Sequence, residues 1–323
     1  MRVVAALGGN ALLRRGQPLT AANQRANAAV AAEALAAVVR AGHEVVIAHG
    51  NGPQVGLLAL QGAAYKVDEL YPLDVLGAET EGMIGYLIEQ ELANRLPRDQ
   101  QIATLLTQVE VRHDDPAFDK PSKPVGPVYT QSEAEALAGQ HGWQIAADGA
   151  GYRRVVASPA PVRILELDVI ALLLREGVVP ICAGGGGIPV VRGEDGACSG
   201  VEAVIDKDAT SALLARCLNA EALLLLTDVD AVQTDYGTPN AHRIRRISAE
   251  TLEDMTFDAG SMAPKVAAAR DFVHAAGGFA AIGRLEDASL LLSGRAGTRI
   301  ETGRRGEYAY YWGAAAQGAK PDR

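Results

Sequence analysis

Apolar residues along this chain fall into two alternating kinds of run. One kind is short and unbroken: "RVVAAL" at 2–7, "EVVIA" at 44–48, "QIATLLTQV" at 101–109, "VVPIC" at 178–182, "ALLLLTDV" at 222–229 and "FAAIG" at 279–283. Unbroken runs of this length predict strands buried on both faces, the mark of a parallel sheet. The other kind is longer, alanine-rich and spaced for one face of a helix. It covers 21–41, stopped by Gly42, then roughly 54–64, 77–95, 165–177, 208–218 and 261–278. Strand and helix in alternation predict an α/β fold with a mainly parallel sheet covered on both faces.

One segment breaks the rhythm. Residues 113–163 contain "DDPAFDKPSKPVGPVY", "EAEALAGQHGW" and "SPAPVR", with prolines clustered at both ends. This reads as an excursion from the main domain, a flap or small subdomain. Residues 301–323 read as an appended tail with no assigned role.

Composition narrows the function. The chain has 323 residues, 48% of them apolar, enough for a sizeable core. The longest apolar runs fall short of a membrane span, and the glycines that follow "MRVVAAL" do not fit a secretory signal. Three cysteines (Cys182, Cys198, Cys217) match neither a disulfide framework nor a zinc pattern. The expectation is a cytoplasmic protein with no membrane partner. A net charge of −9 argues against nucleic acid as a partner.

Lysine usage is skewed. Only six of the 30 basic residues are lysine, at 66, 120, 123, 207, 265 and 320, leaving 24 arginines. In an arginine-using chain, a retained lysine marks either chance or a site that needs a compact ammonium.

Candidate chemistry lies where predicted strands end. Three glycine loops do so: Gly8-Gly9-Asn10, Gly50-Asn51-Gly52-Pro53 and Gly184 to Gly187. Ligands of parallel sheets bind beyond the carboxyl ends of the strands, and glycine loops there present backbone N–H groups to anions. Together they predict a site for a polyphosphate and a second small anion, against the plainer reading of three tight turns. No glycine precedes a lysine, so the P-loop signature is absent. "GNGPQVG" fits a dinucleotide fingerprint poorly, and Asp68 and Glu69 do not close a second strand.

Lys207 stands between Asp206 and Asp208 at a predicted helix start, Lys265 sits in "GSMAPK", and Lys123 sits in the excursion. Phosphoryl transfer needs positioned positive charge. The three lysines are therefore candidate clamps on one phosphoryl group, with Asp208 holding two of them. The other reading makes both aspartates helix caps and Lys207 a surface residue.

"ALGGNAL", "HGNGPQVG", "DPAFDKPSKPVGPVY", "GVEAVIDKDATSALLA", "LLTDVDAV" and "GSMAPKV" occur in order over residues 1 to 300. In these the chain resembles the carbamate kinases of the amino acid kinase family. The resemblance implies a three-layer α/β/α sandwich with an open, mainly parallel sheet over 1–300, the 113–163 subdomain protruding over the active site, and a homodimer. It implies ATP + carbamate = ADP + carbamoyl phosphate, run toward ATP in arginine or related nitrogen catabolism, with Mg²⁺ held mainly by phosphates and no metal-ligand set on the protein. It assigns Lys123, Lys207, Asp208 and Lys265 to catalysis. Gly8, Gly9, Asn10, Asn51, Gly52 and Pro53 would hold phosphate and substrate. Thr227, Asp228, Val229, Tyr236, Met262 and Pro264 would border the nucleotide.

Relatives acting on acetylglutamate or aspartate resemble one another in a lysine two residues before the first glycine pair, where this chain has Ala6. Lys123 is the natural substitute. Gln233 stands where the family often has an aromatic residue, which bears on nucleotide affinity; Tyr236 is nearby. Another small-acid kinase, such as an acetylglutamate kinase, and a catalytically silent nucleotide- or anion-binding regulator are the alternatives. His49 is expected to make a structural hydrogen bond, Arg153 and Arg154 to lie on a solvated face, Cys182 to pack the core, and Trp143 to pack the excursion.

Overall fold

A computed structural model describes residues 1–13, 16–65, 71–257 and 262–311. Its main sheet runs, by strand, Gln233–Thr234, His242–Ser248, Thr298–Glu301, Phe279–Arg284, Ala222–Thr227, Arg2–Leu7, Glu44–His49, Val179–Ile181 and Ile102–Thr104. The six strands from Phe279–Arg284 to Ile102–Thr104 are mutually parallel. Successive side chains of a strand point to opposite faces, and each face has its own core. Val3, Ala5, Leu7, Val45, Ile47, Leu224 and Leu226 pack toward the helices Ala21–Arg40 and Leu73–Ala93. Val4, Ala6, Val46, Leu223 and Leu225 pack toward Leu167–Arg175, Lys207–Cys217 and Met262–Ala276. This is the mixed α/β layering that the alternation predicts.

The expected single strand at 101–109 is instead two, Ile102–Thr104 in the main sheet and Gln108–Val111 in a second sheet of four strands. Thr107 makes the break. It is fully buried, takes its N–H to Glu81 Oε2 at 2.9 Å, and accepts from Ala183 N at 2.9 Å. The chain thus leaves one sheet for the other around a side-chain knot that alternation cannot reveal.

Strands Lys123–Tyr129, Gln144–Asp148 and Gly151–Val156 form a third, antiparallel sheet with the helix Gln131–His141 beside it. A third core joins this sheet to the main body, uniting Val125 and Val156 with Val55, Ala59, Leu73, Leu76 and Val204. Gly56, in the helix Gly52–Tyr65, faces Gly126 so closely that a Cβ would overlap the Gly126 backbone. Gly126 itself has φ +76°, a left-handed value that favours glycine. Gly56→Ala is therefore expected to lower stability by about 1–3 kcal/mol, the usual cost of overpacking, and to lower turnover with it. Denaturant midpoints and steady-state rates on the same preparation check this; a variant unchanged in both removes the contact as the seat of the excursion.

Beyond the strand Thr298–Glu301 the chain turns back, and Tyr308–Tyr310 pairs antiparallel with His242–Ser248. Gly306 N donates to Thr251 Oγ1 at 2.9 Å and Tyr311 Oη donates to Gly297 O at 2.6 Å. The tail's first residues are thus part of the sheet.

Candidate functional site

Three of the parallel strands end side by side. Leu7 is in register with both His49 and Leu226. Gly8 N donates to Leu226 O at 2.8 Å, and Gly50 N donates to Leu7 O at 3.0 Å. The chain needs glycine here for closeness: a Cβ on Gly8 would lie 2.9 Å from Leu226 O, and one on Gly50 would lie 3.1 Å from Gly9 N and 3.5 Å from Lys207 Cδ. The first two glycine loops and the Lys207 side chain therefore meet at one spot. Pro53 closes over Gly9, and Thr227 lies beside Gly8.

The helix Lys207–Cys217 starts at this spot. Asp206 caps it, its Oδ1 accepting from Asp208 N at 2.9 Å and Ala209 N at 3.2 Å. A single capping oxygen leaves Oδ2 available, and it accepts from Lys123 Nζ of the excursion. Within the first turn, Asp208 accepts from Lys207 Nζ at Oδ1 and from Lys265 Nζ at Oδ2, the latter at 3.2 Å. Asp208 is 3% exposed and each of these two lysines 9%, so they are interior charges. The excursion, the Lys207 helix and the Lys265 helix thus bring three ammonium groups onto two carboxylates two residues apart.

Burial alone would raise the Asp208 carboxyl; Lys207 and Lys265 overcome that and hold it well below the usual carboxylate range. Burial likewise opposes ionisation of Asp206, and Lys123 brings it below its ordinary value against repulsion from Asp208. Burial lowers the Lys207 ammonium, and Asp208 resists that shift. Asp206 is thus the cap of the plainer reading, but Lys207 is buried rather than a surface residue, and Asp208 holds two lysines instead of capping. Asp206 as the partner of Lys123 escaped the sequence reading, although its place in "IDKDA" beside a candidate site is the signal that finds it.

The third glycine loop is closely packed. Gly184 to Gly187 are buried, and the loop closes on itself through Gly186 N to Ala183 O and Gly187 N to Gly184 O. Gly184 sits against His49 and Glu81, Gly185 against Asn51, and Gly186 accepts from Thr210 Oγ1 at 2.8 Å. These glycines make room for neighbours beneath the site. The Asn51 amide donates to Thr80 Oγ1 at 2.8 Å, so that face of the side chain serves structure.

His49 is buried, with Nδ1 3.2 Å from Gly50 O, the structural hydrogen bond expected of it. Burial lowers its pKa to about 4. Glu81, also buried, is raised well above the ordinary carboxylate value by desolvation, against hydrogen bonds from Thr107 and Gly184. The two act oppositely on acid stability. The unfolded chain protonates histidine near pH 6.5 and the fold refuses that proton until about 4. The His49 contribution is therefore complete above about 6.5 and is lost as pH falls toward 4, by about 3 kcal/mol. Glu81 keeps its proton in the fold, so its contribution is present at low pH and lost as pH rises. His49→Gln is expected to remove the first effect alone, so the stability difference from wild type must vary with pH across 4–6.5. Urea midpoints at several pH values test this; a constant difference contradicts it.

The remaining predicted residues divide. Gly52 opens its helix, Met262 and Pro264 sit half-buried in the first turn of the helix that carries Lys265, and Asp228 Oδ1 accepts from Thr227 Oγ1 at 3.2 Å. Pro264 lines a cleft of about 330 Å³ with Asp206 between the two lysine-bearing helices. Val229 is half-buried just past the strand end. Tyr236 is 68% exposed, and no hydrogen bond or ring contact ties it to the other described residues. The Asn10 side chain, Gly260, Ser261, Lys66, Asp68 and Glu69 lie outside the described residues. Cys182 is core. Arg153 and Arg154 do not lie on a solvated face: Arg153 donates to Gly126 O at 3.0 Å and pairs with Asp148, and Arg154 stacks on Trp143.

A sequence model of the amino acid kinase family matches residues 1–282. A carbamate kinase of Rhizobium meliloti is 57% identical over 304 residues, 94% of each chain. One from Haemophilus influenzae is 56% identical over 93% of this chain and 96% of its own. Among solved structures, a carbamate kinase from Giardia lamblia bound to AMP-PNP superposes with a TM-score of 0.84 at 40% identity, covering 94% of this chain and 98% of that one.

Proposed function

Because the chain belongs to the amino acid kinase family, as one of its carbamate kinases, we propose that its lysine–aspartate cluster passes one phosphoryl group between ATP and carbamate. The observation that carries this reading is the meeting of Lys207 and Lys265 on Asp208, with Lys123 brought in from the excursion onto Asp206.

A carbamate oxygen attacks the γ-phosphorus as the bond to the bridging oxygen of ADP breaks; the reverse step makes ATP from carbamoyl phosphate. Carbamate is already anionic, so neither a general base nor a covalent enzyme intermediate is needed. The obstacle is repulsion between anions, and the transition state spreads charge over the equatorial oxygens. Lys207 lies beside Gly50, and Lys265 shares Asp208 with it; both are assigned to the nucleotide phosphates and the leaving oxygen. Lys123 is assigned to the transferring group and the carbamate. It must exchange Asp206 for the substrate, and its salt bridge holds it ready. Asp208 keeps its two lysines charged despite burial. The N–H groups of Gly8 and Gly50 are spent on neighbouring strands, so Gly9 is the amide assigned to the phosphoryl group.

Mg²⁺ bound with the nucleotide would take its ligands mainly from phosphate oxygens, since Asp206 and Asp208 are committed to lysines. Among the described residues no three acidic, histidine or cysteine side chains gather for a metal. A homodimer in the cytoplasm, serving nitrogen catabolism in the direction of ATP, completes the proposal. A coupled assay for ATP formation from ADP tests it with carbamoyl phosphate and, separately, with acetylglutamyl phosphate. ATP from the first alone is expected; ATP from the second alone, or from neither, overturns the reading.

A further inference from the structure

A cleft of about 720 Å³ lies between the excursion and the main body, lined in part by residues of the third core and by none of the three lysines. That volume is within the roughly 300–1,000 Å³ of small-molecule sites. Its walls are of two kinds. Leu58, Leu73, Phe118 and Val156 supply apolar surface, while Arg154 and Glu202 carry opposite charges.

Arg154 is half-buried, its guanidinium 4.7 Å above the Trp143 ring, which His141 also stacks on at 4.8 Å. Among the described residues it finds no hydrogen-bond acceptor. Burial pulls its pKa down, and Glu202 partly offsets this across the gap without an ion pair forming. A planar fork of donors with no acceptor, held rigid on an aromatic face, is built for a carboxylate. Glu202 is fixed as well, its Oε1 accepting from Leu73 N at 2.9 Å, which leaves its second oxygen for a cation. Glu79 adds a second negative charge to the lining.

We propose that this cleft binds a small zwitterion with an apolar side chain, an α-amino acid, whose carboxylate meets Arg154 and whose ammonium meets Glu202. The apolar side chain fills the space against Leu58, Leu73 and Phe118. Arg154 is the register partner of Val125 and Lys123 that of Val156, so Lys123 and Arg154 share one face of the small sheet. An occupant therefore braces the strand pair that presents Lys123.

Calorimetric titration of the full chain with L-leucine and L-phenylalanine tests this. Isocaproate, which lacks the ammonium, and isoamylamine, which lacks the carboxylate, are the paired controls. Saturable millimolar binding by at least one amino acid is expected, with both controls weaker by about tenfold or more, as for a lost charge-assisted contact. Arg154→Met keeps the packing on Trp143, and Glu202→Gln keeps an acceptor for Leu73 N; both are expected to melt like wild type and to lose about tenfold or more in affinity. No binding by either amino acid, equal binding by a control, or unchanged affinity in folded variants overturns the proposal. The readout is binding, so failure here is distinct from failure of the transfer chemistry.

Discussion

Lys123→Ala is expected to lower turnover by about 10²–10³-fold, the effect of removing one preorganised charge from a transition state, while ADP affinity changes only a few-fold. The asymmetry follows from position. Lys207 and Lys265 are buried in the main body on Asp208, Lys207 beside Gly50, whereas Lys123 arrives on the small sheet and touches Asp206, at the rim of the cluster. Its loss also leaves Asp206 facing an incoming anion unneutralised. Arginine is expected to rescue poorly, because a wide planar fork does not replace a compact ammonium. Coupled ATP formation gives turnover and calorimetry gives ADP affinity; unimpaired turnover removes Lys123 from the mechanism.

Asp208→Asn is expected to damage fold and chemistry together. Breaking a buried ion pair by removing one partner costs about 3–5 kcal/mol, and here one carboxylate serves two interior lysines. Without it, burial drives Lys207 toward its neutral form. The alkaline limb of the rate profile should then move to lower pH, and turnover should fall by about 10³-fold, as when a charge-stabilising group fails. An apolar pair separates the two effects: Lys207→Met with Asp208→Leu is expected to recover much of the stability, as apolar replacements of buried ion pairs do, and none of the activity. Thermal melts and rate–pH profiles read both arms. A single variant as stable and as active as wild type contradicts the assignment.

Much of this was legible along the chain, for physical reasons. Strands buried on both faces read as unbroken apolar runs, so "RVVAAL" and "ALLLLT" were found at their observed positions. The rarity of lysine drew attention to six positions, and the motifs picked 123, 207 and 265 from them; the fold buries the last two together. Other features depend on tertiary contacts with no local signature. The break at Leu105–Thr107 is set by Glu81 and Ala183, distant in sequence. Gly184–Gly187 looked like the other glycine loops, yet its flexibility serves close packing on His49 and Asn51. Arg153 and Arg154 read as solvated until the small sheet placed Gly126 and Trp143 against them. Asp206 serves two roles through its two oxygens, one for the helix end and one for Lys123, and sequence reading found only the first.

The convergence of three ammonium groups on a single phosphoryl unit is tested most directly by a crystal structure with ADP, Mg²⁺ and aluminium fluoride. The account expects Lys123, Lys207 and Lys265 to bring Nζ within about 3.2 Å, hydrogen-bond reach, of the fluoride ligands or the oxygen bridging to ADP. A complex in which Lys123 stays on Asp206, away from the fluoride, or in which either buried lysine turns from the phosphates, would contradict it.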